Sequence, residues 1–361
     1  MDVLAVMKDP GGTAGVLPVV GELRRLGLRV DVLANGKAVE ILYNQGEFFS
    51  ACKSADRVVA TIETPRLLLT SMCSGGGVGR DLISLYREHF SGIRRPISVA
   101  LADYWGTKAL KDLWRDARHR PDYVCVNDAL GMRLVKDALE DFPGDRIEVC
   151  GYPALDKYFE YDVTSASDHV RTMLNLRDAK PIILFCGDTQ RTTSVLSEII
   201  AALDVLQEDA YFIPCAHPRF SEESRDEAIE WDRILHTSNM AHATLVRSSL
   251  ECDMASLIAA SSVVLASYST VLVEAAALRK FAIAVLYPDT AEMYRELAGM
   301  WEFPLVSLGC CAKATNREEL CYLLQSAFGG DLGLRENQEK IFRLDGQNAR
   351  RVANFIDRRL A

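Results

Sequence analysis

Three hydroxyl residues and one carboxylate stand close together in the stretch ASYSTVLVEAAALRKFAIAVLY, residues 266–287. Ser267, Ser269 and Thr270 follow an apolar run, and Glu274 lies one turn into the segment after it. Hydroxyls and backbone N–H groups at a helix start suit a diphosphate, because the helix dipole favours an anion there. A capping box places its acidic residue three positions after the hydroxyl. Glu274 is four positions after Thr270, so we expect its carboxylate to bind a ribose diol.

Polar residues also end the other apolar runs of the second half. His217 and Arg247 would supply hydrogen-bond donors or positive charge beside the hydroxyls, although a lone histidine is more often structural. The remaining candidates at these run ends are Gly187, Asp188, Thr189, Arg191 and Val246.

The chain contains no D-x-D, the usual carboxylate pair for a Mg²⁺ or Mn²⁺ on a nucleotide diphosphate. We therefore expect backbone amides, hydroxyls and basic side chains to meet the diphosphate charge. The sequence predicts neither a metal nor another cofactor.

Two glycine-rich loops mark the first half. Residues 9–15 read DPGGTAG, and residues 70–80 read TSMCSGGGVGR. Each loop leads into a predicted helix and suits an anion, and tight turns alone explain the glycines equally well. Neither matches G-x-G-x-x-G with an acidic partner about 20 residues on, which disfavours a nicotinamide cofactor. The candidate acceptor or phosphate residues here are Gly11, Gly12, Thr13, Gly15, Ser74, Gly75 and Gly76.

Two aspartates are candidate general bases. Asp103 follows an apolar run and precedes Tyr104 and Trp105, and an aspartate beside aromatic rings suits proton abstraction on a sugar. Capping of the next helix explains Asp103 at least as well. Asp9, in the first glycine loop, is the second candidate.

Composition indicates a globular protein. At 361 residues the chain suits two domains of ordinary size. Its net charge of −9 argues against a protein that binds nucleic acid, which needs a positively charged surface.

No apolar run reaches the roughly 20 residues that cross a bilayer. The start, MDVLAVMKDPGG, lacks a signal peptide's basic region and long apolar core, so we expect a cytoplasmic protein. The ten cysteines lie mostly in apolar runs, and neither zinc nor disulfides are predicted.

Continuous apolar runs alternate with amphipathic stretches along the whole chain, which predicts parallel sheets covered on both faces. Such sheets bind ligands outside the carboxyl ends of their strands. We expect an α/β protein of two Rossmann-like, doubly wound domains that face each other across a cleft. The domains are 1–160 and 161–345, and a C-terminal helix at 346–361 would pack back on the first. The predicted strands are 3–8, 29–35, 66–71, 96–103, 123–128, 146–152, 181–188, 210–217, 244–248, 262–267, 281–287 and 303–310.

Several segments resemble nucleotide-sugar glycosyltransferases of the GT-B fold. Residues 267–283 are similar to the S-x-S-[ST]-x-x-x-E-A-x-x-L-x-K-P-x-I segment shared by lipid-A-disaccharide and CDP-glycerol transferase relatives and UDP-N-acetylglucosamine 2-epimerases. Shorter matches are the D-M-x-x-L-[IL]-A-x-A helix at 253–260, His217-Pro218 and G-x-P-x-[LF]-D at 151–156. Residues 345–351, DGQNARR, are similar to the epimerase tail D-G-x-A-x-x-R-I. Gly11 to Gly15 resemble the glycine loop of the peptidoglycan N-acetylglucosaminyl transferase.

The resemblance implies a donor site on the second domain. Glu274 would hold the ribose, and Ser269, Thr270 and His217 the diphosphate. The segment from Gly187 to Arg191 would border the sugar, and the stretch around Val246 would lie along the base. The acceptor would lie against the loops of the first domain.

The sequence also departs from these families. Phe281 replaces the usual proline, and Val16 stands where the peptidoglycan enzyme has histidine. The epimerase pattern S-G-G-x-Q-E-E is absent, with Tyr268, Ser269 and Thr270 in place of its glycines and glutamine. These differences place the epimerase behind a transferase.

Three functions stay open. The leading one is a metal-independent, inverting glycosyltransferase of cell-envelope or polysaccharide synthesis, with a nucleotide-diphosphate sugar as donor, UDP favoured. The alternatives are a UDP-N-acetylglucosamine 2-epimerase and a non-catalytic, two-lobed nucleotide-binding protein. The acceptor (a glycan, a lipid-linked group or a small molecule), a peripheral membrane contact and the oligomeric state are left open by the sequence.

Overall fold

In a computed structural model the chain divides into two compact units. The first unit comprises Met1–Phe159, Leu297–Gly299 and Leu344–Ala361, and the second comprises Glu160–Glu296 and Met300–Arg343. The structure describes every residue except 73–75, 91, 93–94, 103–104, 106, 189–191, 207–208, 218–224, 239–243, 247–251, 330–332 and 343, and describes only the backbone at 107–109 and 225–228.

All strand pairs of the first unit are parallel. They join seven strands in the order β3-β2-β1-β4-β5-β6-β7, which reverses direction between β1 and β4. This is the Rossmann strand order. The strands are β1 (Val3–Met7), β2 (Val30–Ala34), β3 (Ser50–Ala51), β4 (Leu67–Ser71), β5 (Ile97–Leu101), β6 (Tyr123–Val126) and β7 (Ile147–Val149).

The second unit contains a five-stranded parallel sheet of order β12-β11-β10-β8-β9, which reverses between β8 and β10. Val246 forms a single parallel bridge to Cys215 beside its edge. Both sheets confirm the predicted α/β class. The strands are β8 (Ile182–Cys186), β9 (Tyr211–Cys215), β10 (Val263–Ala266), β11 (Phe281–Val285) and β12 (Ala312–Ala314).

Helices connect the strands, and several of them, such as α1 and α4, bury an apolar face against a sheet. In chain order they are α1 (Pro10–Arg25), α2 (Ala38–Asn44), α3 (Ala55–Thr61), α4 (Val78–His89), α5 (Thr107–Trp114), α6 (Ala129–Ala138), α7 (Val163–Met173), α8 (Thr192–Leu206), α9 (Arg225–Thr237), α10 (Met254–Ala260), α11 (Val271–Ala277), α12 (Pro288–Ala298), α13 (Pro304–Ser307), α14 (Arg317–Gly329), α15 (Leu334–Ile341) and α16 (Asn348–Leu360). Short 3₁₀ turns cover Gly144–Arg146 and Pro153–Tyr158.

The last helix completes the core of the first unit. Four apolar residues of α16, Val352, Ala353, Phe355 and Ile356, are buried with β1 and α1 in one cluster. Their spacing at i, i+1, i+3 and i+4 places them on one face of the helix.

Two predicted strands are wrong in detail. Residues 303–310 form the short helix α13 and its C-terminal turn, and the sheet is completed instead by β12. Pro304 is the first helical residue, and Gly309 follows the helix with φ +67°, so the segment carries ordinary helix start and stop signals. Of residues 244–248, those described make only the bridge at Val246.

No helix in the described part of the chain is long and apolar enough to span a bilayer.

Candidate functional site

In the second unit, the point where the strand order reverses brings two predicted residues into contact. Asp188 follows β8 and Ser267 follows β10, and these strands are neighbours. The Ser267 backbone N–H donates to Asp188 Oδ2 at 3.2 Å, and both residues are buried. Because open α/β sheets bind ligands at such a reversal, this is the candidate site of the second unit.

Asp188 is a buried carboxyl group. Burial raises its pKa to about 6, although hydrogen bonds from Ser267 and Tyr268 favour the charged form. Its backbone carbonyl accepts from the Thr192 hydroxyl at 3.1 Å, at the start of α8. Asp188 therefore ties the turn after β10 to the turn after β8.

Glu274 lies near the same contact. Burial raises the pKa of the Cys186 thiol, and the charges of Cys215, Asp188 and Glu274 raise it further. Glu274 itself lies in the first turn of α11, which begins four residues after Ser267.

The predicted hydroxyls lie between Ser267 and α11. Ser269 Oγ accepts from the Val271 backbone N–H at 3.3 Å, and Thr270 is exposed at the first position before the helix. Glu274 is half-buried in the first turn. The structure therefore places the three hydroxyls and the carboxylate on one strand–helix connection.

Other predicted donor residues lie at the ends of β8 and β9. Gly187 packs so tightly that an added Cβ would lie 3.0 Å from both Thr192 and Trp231. His217 is half-buried two residues beyond β9, and Val246 is buried beside Cys215. They share the carboxyl edge of the sheet with Asp188.

In the first unit, Asp9 caps α1. Its carboxylate accepts from the Gly12 N–H at 2.8 Å, and its carbonyl accepts from the Thr13 N–H at 2.9 Å and from the Thr13 hydroxyl at 2.7 Å. This is the ordinary geometry of an aspartate N-cap.

Gly12 and Gly15 line a small cavity behind that cap, together with Ser71 at the end of β4. Gly11 is half-buried in the first turn of α1.

Several predicted residues lie outside the described part of the chain. They are Ser74, Gly75, Asp103, Thr189, Arg191 and Arg247.

Sequence reasoning missed two residues at the carboxyl edge of the first sheet. Lys8 directly follows β1, and its Nζ donates to the carbonyl of the predicted residue Gly76 at 3.3 Å. Ser71 ends β4 and faces Gly12. Their position directly at strand ends is the signal that could have singled them out.

Among the described residues, no three His, Cys, Asp or Glu side chains cluster closely enough to hold a metal ion. The absence of a metal from the reaction stays a prediction.

No protein-family profile matches the sequence, and no curated protein sequence matches it. Solved structures are similar over the whole chain. A variant of the wall teichoic acid polymerase TagF soaked with CDPG gives a TM-score of 0.62 at 14% identity, over 99% of this chain and 88% of that one. The UDP-GlcNAc 2-epimerase from Neisseria meningitidis, bound to UDP-GlcNAc, gives 0.69 at 13% identity, over 99% and 100%.

A glycosyltransferase from Rickettsia africae gives a TM-score of 0.63 at 11% identity, over 99% of this chain and 98% of that one. At such identities the likeness establishes the fold alone. The chain has a GT-B type of fold with two Rossmann-like units, as the sequence predicted.

Proposed function

We propose that this chain is a glycosyltransferase that moves a sugar from a nucleotide-diphosphate donor, UDP favoured, to an acceptor, with inversion and without a metal ion. The observation that carries the proposal is the contact between Asp188 and Ser267 at the reversal of the second sheet, with Glu274 in the first turn of the helix that follows Ser267. Sheets of this kind bind nucleotides at that place.

The ligands of two similar structures support a nucleotide donor. One of those proteins was soaked with CDPG and another holds UDP-GlcNAc. Both are similar to this chain over nearly its full length, which supports a donor of the same chemical class here.

In this proposal Glu274 binds the two hydroxyls of the ribose. Ser269, Thr270 and His217 bind the diphosphate through hydroxyl, amide and imidazole donors, which stabilise the charge that develops on the leaving group. Asp188 keeps the loop that carries these hydroxyls in place. Asp103 or Asp9 takes the proton from the acceptor.

A 2-epimerase is the second candidate, since an epimerase gives the higher TM-score of 0.69 and this chain covers all of it. Purified protein incubated with UDP-N-acetylglucosamine alone separates the two, because an epimerase needs no acceptor. Conversion to a 2-epimer under those conditions would replace the transferase proposal.

Nucleotide binding is tested by melting the protein with UDP, CDP, ADP and GDP. A ligand at 100 times its Kd adds about 2.7 kcal/mol to the free energy of unfolding, and we expect UDP to give the largest shift. Glu274→Gln should weaken UDP binding roughly 10- to 100-fold, because it removes a hydrogen-bonding charge.

Glu318→Gln is the matched control. Glu318 is an exposed glutamate in the first turn of α14, and its substitution should leave UDP binding unchanged. If no nucleotide stabilises the protein, or if both variants bind UDP as tightly as the wild type, the proposed donor site is wrong.

A further inference from the structure

A small cavity lies at the carboxyl edge of the first sheet. Its volume is about 10 Å³, which is room for one water-sized group. Gly12 and Gly15 of α1 and Ser71 of β4 are among the residues that line it. Asn127 and Gly151 are the partly exposed members of the lining, so they mark its outer side.

Ser71 contributes a polar side chain to the lining of this cavity. The residue is 5% exposed, and within the described chain its Oγ makes no hydrogen bond. The Gly12 backbone approaches it closely, since a Cβ added to Gly12 would lie 2.1 Å from that oxygen. A hydroxyl with no partner in the protein is available to a bound polar group, which would replace water as its hydrogen-bonding partner.

At the adjoining start of α1, three of the first four backbone positions cannot donate to an anion. Pro10 has no N–H, the Gly12 N–H is bonded to the Asp9 carboxylate, and the Thr13 N–H is bonded to the Asp9 carbonyl. The carboxylate thus occupies the place where a phosphate would bind, and it repels one. Lys8 is not part of the cavity lining and donates instead to Gly76.

We infer that this cavity is a subsite for a single hydroxyl group of a neutral, polyol-bearing acceptor, which exchanges hydrogen bonds with Ser71. The inference rests on the proposed function, because it describes the acceptor of that reaction. It assigns the glycine loop of this chain to a hydroxyl group and not to a phosphate.

Gly15 offers a way to fill the cavity without harming the fold. An added Cβ would lie 3.9 Å from Leu101 Cδ2 and 4.0 Å from Tyr152 Cε2, which are ordinary contacts with two other lining residues. Alanine also favours a helix interior over glycine. Gly21→Ala is the matched control on the same helix, since a Cβ there meets nothing within 4 Å.

The test uses the ¹⁵N-labelled full chain titrated with glycerol, the smallest polyol, and separately with inorganic pyrophosphate. The amide signals of Ala102 and Gly151 report on the cavity, and those of Ser269 and Val271 report on the second unit.

Glycerol should shift the signals of Ala102 and Gly151 saturably. Ser71→Ala should weaken that binding roughly 2- to 12-fold, the effect of one hydrogen bond. Gly15→Ala should abolish it, while Gly21→Ala binds as the wild type does.

Both alanine variants of α1 should melt at or above the wild-type temperature, so a loss of glycerol binding in Gly15→Ala cannot come from unfolding. Equal glycerol shifts in all variants, or pyrophosphate shifts at Ala102 and Gly151, would overturn the inference. Missing pyrophosphate shifts at Ser269 and Val271 would count against the proposed donor site instead. The two failures are therefore distinguishable.

Discussion

The carboxylate of Asp156 accepts a hydrogen bond of 2.7 Å from the backbone N–H of Ala349, which lies 193 residues further along the chain. Its other oxygen accepts from the N–H of Asn348 at 3.1 Å. Asp156 thus caps α16 from a distant part of the sequence. Gly151, with φ +85°, packs against Asn348 so closely that an added Cβ would lie 1.9 Å from its Oδ1. The sequence motifs at 151–156 and 345–351 are therefore two halves of one structural contact.

Asp156→Ala should loosen α16. The substitution leaves two N–H groups of the helix start without their acceptor, at a cost of about 1–2 kcal/mol. Amide hydrogen exchange along α16 is the readout, because a chain of two units need not unfold in one step. Asp162→Ala, which removes a local cap from α7, should leave exchange in α16 unchanged. Unaltered protection of α16 in Asp156→Ala would contradict this role.

Asp188 should make the stability of the second unit depend on pH. Burial raises its pKa from 3.8 to about 6. Between pH 4 and pH 6 the carboxyl group is therefore protonated in the native state and ionised in the unfolded chain. The contribution of the protonated Asp188 to the free energy of unfolding is complete below pH 4 and is lost as the pH rises through 6. Asp188→Asn keeps an acceptor for Ser267 and cannot ionise. Relative to the wild type it should gain stability with rising pH, up to about 3 kcal/mol at pH 7.

The measurement is the difference in urea unfolding midpoint between Asp188→Asn and the wild type, taken from pH 4 to pH 8. Asp204→Asn, at an exposed position on α8, should show a flat difference. A flat difference for Asp188→Asn as well would mean that this carboxyl titrates normally.

Arg279 ends α11 in the left-handed region, with φ +60°. Its guanidinium donates to the carbonyls of Ala276, Ala277 and Phe342 at 3.2, 3.0 and 2.8 Å. Arg279→Ala loses these bonds and keeps the backbone strain, whereas Arg279→Gly loses the bonds and relieves the strain. The glycine variant should be the more stable of the two by about 1 kcal/mol, and both should be less stable than the wild type. Urea unfolding of the three proteins checks this order, and an alanine variant as stable as the glycine variant would refute it.

The general base is assigned by comparing Asp9→Asn with Asp103→Asn. The correct substitution should lower turnover by roughly 100- to 10,000-fold and leave donor affinity unchanged. Asparagine at position 9 can still accept from the Gly12 N–H, so the cap of α1 should survive. The assay is release of the nucleoside diphosphate from the donor that the melting panel identifies. Full turnover in both variants would exclude both aspartates.

Much of the fold follows from apolar runs that are buried on both faces, such as β4 and β10. Their continuous Leu, Val and Ile content is typical of parallel sheets. β3 escaped prediction because Ser50 and Ala51 are both exposed and give no apolar signal. The run at 303–310 was misassigned because a short apolar run does not distinguish strand from helix.

The candidate site was less predictable than the fold. The turns that follow β8 and β10 were found from position alone, since strand ends share one edge of a parallel sheet. The role of Asp9 as a cap depends on a local hydrogen bond that its residue type permits and does not require. The approach of Ser71 to Gly12 depends on the pairing of β4 with β1, which local patterns do not reveal.

The burial of α16 in the first unit has a consequence for biosynthesis. Val352, Phe355 and Ile356 fill the interior beneath α1, yet the ribosome adds them only after the whole of the second unit. The amino-terminal sheet therefore stays incompletely covered while some 190 intervening residues are synthesised and fold. A fragment that stops at residue 160 would expose that apolar surface permanently and should aggregate.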